Sequence, residues 1–114
     1  MALADITSRQ AVLNAVSECD RLGRATFLDR HGFGPAREFF LVVDGREYDS
    51  KAIVGVAHGY QFPQAGNLAA RDFSGGVGTV QRLLESLGFE VRVRQSARVA
   101  QDAEPGAAAD TGRM

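Results

Sequence analysis

The chain reads as an α+β domain, a small three-stranded sheet packed by three or four helices. Three observations predict it. Apolar residues recur at helical spacing through the first third of the sequence, and the period then falls to two around an Asp44-Gly45 turn signal. It falls to two again at the far end, where Phe89, Val91 and Val93 alternate with charged residues. At 114 residues with 45% hydrophobic content there is material for one core and no second domain.

The first helix is signalled at Thr7, which with Gln10 fits a capping box. Val12, Val16, Cys19 and Leu22 follow on one stripe, and Gly23 ends the helix. A short second helix, about 24–31, presents Phe27 and Leu28 and stops at Gly32, after which Gly34-Pro35 marks a loop. Residues 38–43 form a strand that is apolar on both faces, and Arg46-Glu47-Tyr48 returns as its hairpin partner across Asp44-Gly45. Asp49-Ser50 caps a third helix from Lys51 to about Tyr60. A loop rich in Gly, Pro and Asn leads to Ser74-Gly75-Gly76 and a fourth helix, about 77–87, that buries Val80, Leu83, Leu84 and Leu87. Phe89 to Val93 is a half-exposed strand. The doubly apolar strand belongs in the centre, so the antiparallel or mixed sheet has the order 2-1-3. Residues 1–94 form this single domain, and 95–114, with no aromatic residue and little apolar periodicity, read as a disordered tail or linker.

Thirteen basic against fourteen acidic residues give a net charge of -1, which excludes a strongly cationic nucleic-acid coat but not a small contact face. A single cysteine, Cys19, excludes an intramolecular disulfide and a cysteine-based zinc cluster. His31 and His58 are the only histidines, and no metal or other cofactor is implied. No signal peptide and no apolar run of membrane-spanning length is visible, so a cytoplasmic protein without a membrane partner is expected.

Chemistry-bearing residues concentrate around the third helix. Lys51, the only lysine, falls on a common side with Gly55 and His58, because seven residues make nearly two turns. A glycine inside a helix loses about 1 kcal/mol relative to alanine, so Gly55 implies close approach by ligand or backbone. One reading is a groove lined by Lys51 and His58. The other is that Lys51 snorkels outward, His58 bonds a backbone carbonyl and Gly55 seats a neighbour. Ser74, Gly75 and Gly76 precede a helix whose amides and dipole suit a phosphate, with Thr79 one turn in. No lysine follows these glycines, so this is not a nucleotide-hydrolysis loop. It reads equally as a tight loop entering a helix. Arg46, Arg71, Arg92 and Arg94 form a possible phosphate-contacting set, although Glu90 shares a sheet face with the last two and a mixed-charge solvated face accounts for them as well. Asp49-Ser50-Lys51 also fits the D-x-K triplet of PD-(D/E)xK nucleases, in which a second carboxylate helps hold magnesium. The upstream acid, Asp44, sits in the turn, and helix capping by Asp49 or Ser50 explains the same residues.

Two stretches carry a family resemblance. FFLVVDGREYDSKAIVGVAHGYQF and DFSGGVGTVQRLLESLGFEV resemble the N-terminal head domain of McrA-type (ScoMcrA-like) modification-dependent HNH restriction endonucleases, over roughly Ser8 to Val93. In those enzymes a sulfur-binding or SRA module reads the modification and a separate HNH domain cuts. With two histidines this sequence has no HNH-like cluster, so nuclease activity does not carry over. The resemblance implies a non-catalytic DNA-associated accessory module of a type IV-like defence system. Its partners would be DNA, modified or plain, and a nuclease domain or subunit. The expected contact residues are Arg46, Tyr48, Lys51, His58, Arg71, Ser74, Gly75, Gly76 and Thr79. Two alternatives stand beside it: a protein-interaction or dimerisation domain using an exposed strand edge, and a metal-dependent nuclease using Asp49 and Lys51.

Overall fold

The computed structural model describes residues 5–73 and 77–94. The first helix, α1, runs Arg9–Leu22 and is capped by Ser8, whose hydroxyl accepts from the Ala11 N–H at 3.0 Å. Thr7, the expected cap, is occupied elsewhere. Gln61 donates to its hydroxyl at 2.9 Å and accepts the N–H groups of Thr7 and Ser8, which ties the helix entrance to the end of α3 (Ser50–Gln61). Gly23, at φ 88°, ends α1 and starts α2 (Arg24–His31), which closes on Gly32 in the left-handed region.

The hairpin forms as expected. Strand β1 (Phe39–Val43) pairs antiparallel with β2 (Arg46–Asp49), and both turn residues have positive φ, Asp44 at 53° and Gly45 at 78°. That is the type I′ geometry whose twist matches the flanking strands. Strand β3 (Glu90–Val93) pairs antiparallel with the other side of β1, so the order is β2-β1-β3 and no pair is parallel. The fourth helical segment begins as a π-helical turn, Val77–Gln81, and continues as α4 (Arg82–Ser86). Val80 and Leu84 are fully buried, and Leu83 and Leu87 pack at the margin of the core.

The core lies between α1 and α3 and against one sheet face. Val12, Ala15, Val16 and Cys19 from α1 meet Ile53, Val54, Val56 and Ala57 from α3, with Leu41 and Tyr48 from the sheet below. Alternation sends Phe40, Val42, Glu47, Glu90 and Arg92 to the opposite face. There Arg94 lies over the Phe40 ring at 4.8 Å and shares Glu47 with Arg92, a charged lid on an otherwise apolar strand. The expected alternation in β3 fades outward: Phe89 is buried, Val91 half-buried and Val93 exposed.

Candidate nucleic-acid interface

The structure distributes the expected contact residues over three neighbourhoods. Arg46 stands at the hairpin end of β2 with its side chain 72% exposed, and its nearest acid is Asp20 of α1 at 3.8 Å. Tyr48, two residues on and on the same face, is buried, and its hydroxyl donates to the same Asp20 at 2.7 Å. Burial, followed by that hydrogen bond to a carboxylate, raises the Tyr48 hydroxyl above its ordinary pKa. Around this pair lie a cleft of about 220 Å³, floored by Cys19 and bordered by Arg24, and a hollow of about 370 Å³ against Leu13 and Ser17 of α1. Tyr48 therefore holds α1 against the sheet, and the accessible donors of the cleft are those of Arg46 and Arg24.

Lys51, in the first turn of α3, is half-buried and sends its Nζ over the Phe73 ring at 5.2 Å. Phe73 leans edge-on against Phe33, with ring centroids 6.3 Å apart, and Phe33 in turn packs where a Cβ on Gly55 would sit, 2.5 Å from its ring edge. The close approach implied by Gly55 is therefore protein, completed by the Leu68 N–H donating to the Gly55 carbonyl at 3.0 Å. Phe73 directly precedes Ser74 in the chain. Ser74, Gly75 and Gly76 lie outside the described residues. Arg71 is exposed on the 3₁₀ turn Ala70–Asp72, and Thr79 is half-buried in the π turn.

His58 joins neither group. Of the two readings of this helix face, the structure forms the one in which His58 bonds a backbone carbonyl, not the groove shared with Lys51: the imidazole is 1% exposed, its Nδ1–H donates to the Gly66 carbonyl at 2.7 Å, and its ring rests on Phe62. The physical reason is position along the helix axis, since the two residues share a phase. Lys51 is at the first turn near a surface loop, whereas His58, two turns on, is roofed by the Gly66–Leu68 segment that the bare Gly55 and Gly59 admit.

Asp49 differs from both roles expected of it. It occupies the N-cap position of α3 but its side chain makes no capping bond. Both oxygens accept from Arg24 at 2.8 Å, and one also accepts the Ala36 N–H at 2.7 Å. Burial alone would raise this carboxyl. The Arg24 and Ala36 hydrogen bonds and the Arg24 charge outweigh it and hold the group below its usual value. Both Asp49 oxygens are thus engaged by protein donors, and Lys51 is directed to Phe73.

Sequence reasoning missed a second buried acid. Glu18 of α1 contacts His31 Nε2 at 2.6 Å and accepts from the Tyr60 hydroxyl at 2.7 Å, while Asn67 Nδ2 lies 3.2 Å from His31 Nδ1. Desolvation opposes ionisation of Glu18, but the Tyr60 and His31 hydrogen bonds hold its pKa low. This network joins α1, α2, α3 and the following loop. Its members are far apart in sequence, and no local spacing announces them. Arg24 carried one signal, its place directly after the helix-ending Gly23.

Comparison with known proteins adds to this geometry. Residues 4–93 match the family described as ScoMcrA-like, N-terminal head domain. Among solved structures, the chain is similar to "Structure of the Type IV phosphorothioation-dependent restriction endonuclease ScoMcrA", with 33% identity and a TM-score of 0.57. That alignment covers 90% of this chain and 16% of the solved one. No curated protein matches.

Proposed function

The chain belongs to the ScoMcrA-like N-terminal head domain family, and from that premise we propose that it is a non-catalytic module that contacts DNA, or positions it for a nuclease, in restriction of modified DNA. One observation carries the contact surface: the Arg46 guanidinium is largely exposed and only loosely held by Asp20, so its donors are open to a phosphate. Arg24 stands beside it, 55% exposed, with Nε and one terminal nitrogen spent on Asp49. Lys51, Arg71 and Thr79, with the Ser74-Gly75-Gly76 stretch that follows Phe73, form the second contact in this reading. Tyr48 and His58 support these surfaces from inside. Cleavage is assigned to a separate nuclease domain or subunit, because the carboxylate of the D-x-K triplet is closed by Arg24 and Ala36.

Fluorescence anisotropy against plain and phosphorothioated duplexes tests this. Binding is expected at low salt and weakens as salt rises, and Arg46→Ala or Lys51→Ala should each flatten the salt slope by about one unit. No binding at low salt to either duplex ends the DNA reading. Magnesium-dependent nicking by the chain, lost in Asp49→Ala, ends the non-catalytic one.

A further inference from the structure

Strand β3 has one neighbour, β1, among the described residues. The Arg94 N–H donates to the Glu38 carbonyl at 2.7 Å, which sets the phase of the ladder. Hydrogen-bonded pairs alternate in an antiparallel pair, so Arg92 opposite Phe40 and Glu90 opposite Val42 turn their backbone groups toward β1. The N–H and C=O groups of Val91 and Val93 therefore face the open edge, and no bond to them is formed among the described residues. Val93 is 53% exposed beside them. An edge with free ladder groups accepts another strand.

The charges on β3 choose that strand. Glu90 and Arg92 project from one face, 65% and 48% exposed, and Glu90 is loosely held at 3.8 Å from Arg92, which is committed to Glu47 at 2.6 Å. Two antiparallel copies of β3 can meet about Val91, about Arg92 or about Val93 while keeping the free groups opposed. Centring on Arg92 sets Glu90 against Arg94 twice, but Arg94 is already committed to Glu47 and the Arg92 guanidinium is set against itself. Centring on Val93 sets Arg92 against Arg94 twice. Centring on Val91 sets Glu90 against Arg92 twice, at the non-hydrogen-bonded positions where side chains come closest, with no like-charge pair. It also lays the exposed Val93 opposite Phe89. We infer that β3 is a homodimerisation edge, joining two copies of this chain about Val91 into one six-stranded sheet.

A strand this short gives a small interface, so association is weak and concentration-dependent. Sedimentation of the full chain from micromolar to millimolar should show a monomer–dimer equilibrium. E90R and R92E should each raise its dissociation constant about tenfold, because each replaces two attractive pairs with two repulsive ones. Mixing the two variants should restore dimerisation, since every cross-strand pair is again opposite in sign. In the unsubstituted chain, protection of the Val91 and Val93 amides from exchange should rise with concentration. A chain that stays monomeric at millimolar concentration overturns the inference. So does amide protection independent of concentration, which would mean that another segment covers the edge. Variants that dimerise like the parent overturn it as well.

Discussion

At the scale of single residues, the decisive pairing is Asp49 with Arg24. The Asp49 side chain is 5% exposed and that of Arg24 55%, so the two halves of the pair are not equivalent. Arg24→Ala strands a buried charge on one backbone N–H and should cost about 2–3 kcal/mol in urea unfolding. Asp49→Asn leaves Arg24 in water and should cost less. Asp49 and Glu18 are both held below their ordinary carboxyl values, so each contributes stability that is fully present above its unfolded pKa. That contribution is lost as the pH falls through the lowered folded values, and acid unfolding of Arg24→Ala should accordingly begin at a higher pH than in the parent. Beyond its place directly after Gly23, nothing in the sequence marked Arg24 as the partner, because the pairing spans 25 positions and depends on how α2 turns off that glycine.

At the scale of elements, the start of α1 separates local signal from tertiary competition. Thr7 and Ser8 are both able caps, and Gln61, the last residue of α3, decides between them by engaging the Thr7 hydroxyl and both N–H groups. Ser8→Ala should lower stability by about 1 kcal/mol, measured by thermal or urea unfolding. Gln61→Ala should loosen the same helix entrance, whereas Thr7→Ala, losing one exposed hydrogen bond, should cost less than Ser8→Ala. The hairpin needed no such arbitration: Asp44-Gly45 adopts the two positive φ values its composition favours, and β1 and β2 follow in register. The helix at 77–87 was legible in extent through Val80 and Leu84, while its π-helical opening was not, since hydrophobic spacing does not distinguish five-residue from four-residue hydrogen bonding over one turn.

For the whole molecule, the family match covers residues 4–93 and Phe89 belongs to the core, and on these grounds we propose that the folding unit ends before residue 95. A chain ending at Arg94 should therefore melt within a degree or two of the full chain; a large drop in Tm would mean that residues 95–114 contribute to the fold. The sequence by itself determined the α+β class, the turn at Asp44-Gly45, the central place of β1 and the family, because periodicity, turn chemistry and a linear motif are properties of neighbours along the chain. Which polar groups face solvent was decided only by tertiary structure. Lys51 and His58 share a helical side, yet one lies over Phe73 and the other is sealed beneath Gly66, because burial depends on what a distant segment lays across each turn of the helix.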